Sequence, residues 1–354
     1  MHRRRFLLYT LGFFKFQSLA FGRSPARSSL VLLPTKDQNG LAKIDLEVKD
    51  PNIKWSPLPY RPHALVELAK NRVLVLPRDS IEYALILSSQ TLRPLSEIRA
   101  SPGATFFGHG GLSPDKKMMV LVEVFPSKGN SQLVFFDLSS GIKRQKTLPL
   151  ESLIPHDVVW QNAHHLILNQ RLDAYGGSHL TTGQSFVCDL KTSQLKPWVQ
   201  GHSNMSIGHF YKNNGKMFAV TVSQKEAKPQ DCFGQIENDK IDFFEMNSSK
   251  KTPFKPGALH VAFTDDGARA GVTFPWEGVI RIFDLGSRQV IRTVELSPDD
   301  GPLAIEYQRY QNRFYIFATS GKIFELSADL KDLREFAKLE SASAESHVYR
   351  WNKT

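Results

Sequence analysis

The chain has 354 residues, with 45 Lys and Arg against 35 Asp and Glu, a formal charge of +10. Four of the basic residues, Arg3, Arg4, Arg5 and Lys15, fall in the first twenty positions, which hold no acid, and the rest are scattered. That argues for a solvated surface and against a nucleic-acid-binding stripe. The two cysteines, Cys188 and Cys232, are too few for a disulfide framework or a thiolate zinc site.

Residues 1–22 read as an export signal. His2-Arg3-Arg4-Arg5 is a basic segment, Leu8 to Phe16 is a short apolar run, and Ser18-Leu19-Ala20 offers a small-x-small cleavage site. Arg3-Arg4-x-Phe6-Leu7 has the twin-arginine pattern. The run is too short and interrupted to span a bilayer comfortably, and no later segment reads as transmembrane. The expected location is the periplasm of a Gram-negative envelope, with no membrane anchor once the signal is removed.

Residues 29–351 then read as one all-β domain. Ser29 to Leu33, Leu41 to Glu47 and Lys54 to Leu58 are three strands without an innermost partner. Weak copies of a four-strand unit begin at His63, His156 and His209, and strong ones at His109 and His260. In the His109 unit, Gly110 to Ser113, Met118 to Val124, Gln132 to Asp137 and Lys143 to Leu148 alternate with polar turns. The His260 unit repeats this with Val261 to Phe263, Ala268 to Phe274, Gly278 to Asp284 and Arg288 to Leu296. A sixth copy, lacking His, starts near Pro302. Starts spaced by about one four-stranded blade predict a β-propeller. The terminal Ser346 to Trp351 reads as the missing innermost strand, so the expectation is a seven-bladed propeller closed by a C-terminal strand, which removes an open sheet edge. Asp173 to Gly183 and Gln224 to Lys240 are each expected as a loop on a propeller face.

The repeated histidines carry the chemistry. His63, His109, His156, His209 and His260 each sit just before the first strand of a unit, and His347 holds the same place in the closing strand. First strands line the channel of a propeller, so these imidazoles form a ring about one axis. Such a ring can lock neighbouring blades through hydrogen bonds. It can bind a transition metal (Cu, Fe or Zn), because neutral imidazole is a common ligand for these ions. It can also bind an anion when several rings are protonated. The other motifs carry less. Gly108-His109-Gly110-Gly111 has no following helix to receive a phosphate. No G-x-S-x-G elbow or H-E-x-x-H helix occurs. His164-His165 reads as a turn, and a disulfide between Cys188 and Cys232 is left open.

Arg61-Pro62-His63, Gly108-His109-Gly110 with Ser113-Pro114-Asp115, Ile154-Pro155-His156-Asp157, Ser206-Ile207-Gly208-His209 and the His347 to Trp351 region resemble a bacterial family of exported propeller proteins of unknown function. The likeness runs from about Ser29 to Trp351. Members of that family often carry a twin-arginine signal and are commonly encoded beside imelysin-like, iron-related periplasmic proteins. The resemblance implies an envelope propeller linked to iron or copper handling, with an envelope protein such as an imelysin-like protein as partner. Asn169-Gln170-Arg171 stands where the family tends to have Asn-Gly-Gly. The resulting reading is a binding or scaffold propeller with an axial His ring. Its rivals are a metal-dependent oxidoreductase using the same pocket and a carbohydrate or peptidoglycan binder using Trp160, Trp198 and Trp276.

Overall fold

The structure, a computed structural model, describes residues 29–352 apart from 36–38, 47–50, 52, 70, 79, 152, 171–183, 201–204, 224–231, 247–256, 298, 310, 328 and 340–348. All of its elements are strands. The N-terminal sheet uses β1 (Ser29–Thr35), β2 (Gly40–Asp45) and β3 (Lys54–Pro57). The His63 sheet is β4 (Pro62–Leu68), β5 (Arg72–Pro77), β6 (Tyr83–Ser88) and β7 (Pro94–Arg99). The His109 sheet is β8 (Thr105–Leu112), β9 (Met118–Phe125), β10 (Asn130–Asp137) and β11 (Lys143–Pro149). The His156 sheet is β12 (Pro155–Trp160), β13 (His165–Gln170), β14 (Gln184–Asp189) and β15 (Gln194–Gln200). The His209 sheet is β16 (Met205–Asn213), β17 (Lys216–Ser223), β18 (Phe233–Glu237) and β19 (Lys240–Phe243). The His260 sheet is β20 (Val261–Phe263), β21 (Arg269–Phe274), β22 (Val279–Asp284) and β23 (Gln289–Glu295). The Pro302 sheet is β24 (Pro302–Gln308), β25 (Arg313–Ala318), β26 (Lys322–Ser327) and β27 (Leu333–Lys338), and β28 (Tyr349–Asn352) ends the chain.

The fold is therefore the expected all-β propeller. Among the described residues it has six four-stranded antiparallel meanders and an N-terminal sheet in the order β28-β1-β2-β3. The sequence builds each meander by simple means. Middle strands such as β9 (Met118–Phe125) are apolar almost throughout, because both faces of each sheet press against a neighbour, whereas the outer β11 is exposed along most of its length. The reversals use one recurring device. In the β8–β9 turn the Ser113 hydroxyl donates to Asp115, and both side chains accept backbone N–H groups of the turn, at Met118 and Lys117. Thr264 with Asp266 and Ser327 with Asp329 repeat it. Local side-chain caps of this kind spare the turn backbone from unpaired polar groups.

Apolar clusters join the sheets in chain order, each straddling two neighbours. Leu74, Ile86, Phe106 and Val134 join the His63 and His109 sheets, and Phe135, Val158, Trp160 and Leu168 the next pair. The N-terminal sheet takes part on both sides. Leu41 packs with Leu65, Val75 and Leu87 of the His63 sheet, and Ile44 packs with Tyr315, Phe317 and Ile323 of the Pro302 sheet. The Tyr315 hydroxyl donates to the Leu46 carbonyl at 3.1 Å across the second junction.

Two expectations need correction. Gln224 to Lys240 is not all loop: residues 224–231 lie outside the described residues, but β18 begins at Phe233, whose ring stacks on Phe218, and Ile236 packs on the opposite face of the sheet, so burial on both faces outweighs the flanking charges. The first four histidines do not precede their strands but lie inside them; only His260 stands just before one. Among the described residues no helix is long and apolar enough to cross a membrane.

Ile44 is fully buried between the N-terminal and Pro302 sheets. Ile44→Ala should lower the unfolding free energy by about 2–5 kcal/mol, read as a lower urea midpoint with one cooperative transition. A separate early transition would mean that the N-terminal sheet unfolds on its own.

Candidate metal centre

The inner strands share an irregularity that decides where their side chains point. Pairing of β4 with β5 slips between Pro62 and Ala64, leaving His63 out of the ladder. Pairing of β12 with β13 slips between Pro155 and Asp157, leaving out His156. In β16 the slip lies between Ile207 and His209, and in β8 between Phe106 and Gly110. A bulge bends the strand and re-aims the extra residue. The His109 strand needs glycine to do this. Gly108 has φ 59°, and a Cβ there would lie 3.3 Å from the His156 carbonyl oxygen. At Gly110 a Cβ would come within 2.6 Å of the Val120 carbonyl oxygen. The glycines singled out in the sequence thus serve the strand, by allowing a left-handed residue and a close backbone approach.

Four imidazoles converge as a result. Ring centroids are 5.0 Å apart for His63 and His109, 4.9 Å for His109 and His156, 5.2 Å for His156 and His209, and 5.5 Å for His109 and His209. All four side chains are buried. One nitrogen from each of His109, His156 and His209 lies within 4.8 Å of the others, so this group can hold a metal ion. Tetrahedral binding at about 2.0–2.1 Å needs nitrogens about 3.4 Å apart, so the rings would draw closer around an ion.

A carboxylate completes the group. Asp157 is buried, with one oxygen 3.5 Å from His209 Nδ1 and the other 4.0 Å from His109 Nδ1. Burial acts to raise its pKa, but the His209 hydrogen bond, the nearby His209 and His109 rings and the Phe210 N–H outweigh it and hold the carboxyl below the usual aspartate value. Asp157 is itself fixed by Asn169. The Asn169 side-chain oxygen accepts the Asp157 N–H at 2.6 Å, and its amide donates to the Ile207 carbonyl at 3.0 Å and the Gly208 carbonyl at 2.5 Å. One buried side chain therefore ties the His156 bulge to the His209 bulge. A carboxylate on the far nitrogen of a histidine orients the ring and raises its basicity as a ligand.

His260 has a partner in the next sheet. Its Nδ1 accepts the Ile305 N–H at 3.4 Å, its backbone N–H donates to Thr273, and its ring lies 6.0 Å from that of Tyr211. Burial, with the His209 charge adding to it, pushes its pKa down to about 3, so it is neutral near pH 7. His347 lies outside the described residues. Asp157 and Asn169 were the partners that sequence reasoning did not assign; the His156-Asp157 step was visible, but the Asn169 contacts span three strands. His164 lies in a bend capped by Asn162, and His165 opens β13 instead of sharing that turn. Cys188 and Cys232 are buried in different clusters and not joined in a disulfide. Trp160 is buried, while Trp198 and Trp276 pack against neighbouring clusters.

Comparison with known proteins agrees with this architecture. Residues 56–185 are similar to the family described as "Protein of unknown function (DUF1513)", a span that includes His63, His109, His156, Asp157 and Asn169. No curated protein matches the sequence. The periplasmic gluconolactonase PpgL of Pseudomonas aeruginosa aligns with a TM-score of 0.62 at 11% identity, covering 91% of this chain and 99% of that one. Hydrazine synthase of Kuenenia stuttgartiensis aligns at 0.59 and 11% identity, covering 85% and 90%. Apo AztD of Citrobacter koseri aligns at 0.55 and 12%, covering 92% and 99%. At these identities the likeness shows the β-propeller fold alone.

Two outcomes follow from the site. Asn169→Ala leaves the Asp157 N–H and two carbonyls without their partner and should cost about 1–3 kcal/mol of stability, measured by urea unfolding. The neutral His260 also links stability to pH. Its ordinary value is 6.5 and its folded value about 3, so between these the unfolded chain takes up a proton that the native state refuses. Stability should fall as pH drops from about 6.5 towards 3, with Asp157 adding to the loss only at the acid end. His260→Phe should flatten the upper part of that profile in urea midpoints measured across pH; an unaltered profile would remove His260 as its source.

Proposed function

We propose that this protein is an exported β-propeller of the cell envelope that holds one transition metal ion, Zn, Cu or Fe, at a three-histidine centre of His109, His156 and His209. The observation that carries this reading is the meeting of three buried imidazoles with a buried carboxylate beside the Nδ1 atoms of two of them. That pairing suits ligation through the opposite nitrogens. Imidazole donors suit Zn, Cu and Fe alike. The anion reading is less favoured, because Asp157 contributes a negative charge and His260 remains neutral near pH 7. The blade-locking role fits His260, which reaches across to the Ile305 N–H of the next sheet.

In this reading the N-terminal sheet is the seventh blade and β28 its inner strand. In support, β28 pairs with β1 in the place that β4 holds beside β5, and the sheet has apolar junctions with both neighbours. Periplasmic location rests on the basic, twin-arginine-like leader of residues 1–22, which lies outside the described residues. An envelope partner, of the imelysin-like kind implied by the resemblance, would dock on the histidine end of the ring. The chain leaves β13 and β17 beside Pro155 and Met205, at that same end.

A second reading, a metal-dependent oxidoreductase, draws on one feature. Three protein nitrogens leave a fourth position open, as catalytic centres do, whereas structural zinc sites are closed.

Protein purified from the envelope should contain about one metal ion per chain. His109→Ala and His156→Ala should each reduce this to near zero with the β-sheet circular dichroism retained. A wild-type protein that takes up no zinc, copper or iron in stoichiometric amount would sink the proposal.

A further inference from the structure

Asn169 is an unexpected residue for its place in the sheet. It follows Leu166, Ile167 and Leu168 along β13, and all four are fully buried. Asn is depleted in strands, and a buried amide is costly unless its donors and acceptor are met. The reason for an amide here lies in what it holds.

Two of its hydrogen bonds end on peptide groups that carry histidines of the centre. The Asp157 N–H, which donates to the Asn169 oxygen, belongs to the peptide bond between His156 and Asp157. The Gly208 carbonyl, which accepts from the Asn169 nitrogen, belongs to the peptide bond between Gly208 and His209. The bond to the Ile207 carbonyl lies one peptide further back. The backbone dictates the orientation of the amide. An N–H only donates and a carbonyl only accepts, so the oxygen must face Asp157 and the nitrogen must face residues 207 and 208. Asn169 thereby fixes the backbone beside His156 against the backbone beside His209, across two sheets.

Asp157 closes the same clasp with its side chain, 3.5 Å from His209 Nδ1 and 3.4 Å from the Phe210 N–H nitrogen. The two histidine rings held this way lie 5.2 Å apart. His63 is held differently, with its Nδ1 3.3 Å from an Arg78 guanidinium nitrogen. Ser185 supplies a contrast within the sheet. It pairs with Asn169 in the ladder and is equally buried, but its hydroxyl donates to the Val199 carbonyl at 2.6 Å and accepts the Val199 N–H at 3.0 Å, joining β14 to β15.

We propose that Asn169 is a positioning residue of the metal centre, which sets the separation of His156 and His209 and through it the affinity and coordination geometry of the bound ion. This rests on the three-histidine reading above and adds a determinant outside the ligand set. Position and charge act in opposite directions at residue 169. Asn169→Asp keeps the size of the side chain but turns an acceptor towards the Ile207 and Gly208 carbonyls, which disturbs the clasp. It also adds a negative charge near a cation, and Coulomb attraction alone would tighten binding.

The test uses the purified full chain and Co(II), whose visible absorption is strong in a tetrahedral site and weak in a six-coordinate one. Wild type, Asn169→Ala, Asn169→Asp and Ser185→Ala are each titrated with Co(II) against a chromophoric chelator, and their urea midpoints are measured alongside. The expected result is one Co(II) per wild-type chain. Affinity should fall about tenfold to a hundredfold in both Asn169 variants, the range for outer partners of metal ligands, with a changed Co(II) spectrum. Ser185→Ala should lower the urea midpoint and bind Co(II) as wild type does. Asn169→Leu, which fills the same volume, replaces Asn169→Ala if that variant does not fold. Wild-type affinity in a folded Asn169 variant, or tighter binding in Asn169→Asp, would overturn the inference. An equal loss of affinity in Ser185→Ala would also overturn it, by tracing the effect to general stability. A wild type that binds no Co(II) would remove the three-histidine reading itself, and this inference with it.

Discussion

The β-bulge at the start of the inner strands is the feature on which the site depends. A regular strand alternates its side chains between two faces, and in this fold both faces of an inner strand are turned to neighbouring sheets. A histidine in such a ladder would be packed between blades. One slipped residue, at His63, His156 or Gly208, turns the imidazole out of that alternation and into the cluster. In β8 the same end is reached through Gly108 with its positive φ.

Asp157 and Asn169 tie the His109 and His209 rings to the His156 bulge as one polar unit. A carboxylate buried at this depth is costly unless its oxygens are met. Here the Phe210 N–H and the His209 ring meet one oxygen while His109 lies near the other. Asn169 spends its oxygen and nitrogen on three backbone groups from two sheets. The polar centre and the apolar junctions around it therefore support one another. The junctions set the distance between blades, and the amide and carboxylate set the angle of the rings.

Much of the fold was legible because a propeller writes its period into the chain. Turn residues, apolar middle strands and recurring Gly-His or Pro-His steps mark each unit, and each unit makes the same local contacts. The stretch from Gln224 was less legible. Its charges suggested one loop, but Phe233 gains more from stacking on Phe218 than the flanking polar residues oppose. Within the site, the histidines were readable as a set, but their division was not. His109, His156 and His209 approach one another, His63 meets Arg78, and His260 bonds Ile305. Each of those fates depends on a partner from another strand.

The amino-acid sequence by itself determined the all-β repeat and the presence of a histidine near the start of five successive units. These follow from local chemistry, since turn propensity, alternation and blade length act over a few tens of residues. Only the tertiary structure decided which nitrogens meet, that Asp157 stands behind two of them and that Arg78 claims a third. Those relations are distances between residues far apart in the chain. They are set by how neighbouring sheets pack and by where a strand slips by one residue, and no spacing along the sequence encodes them.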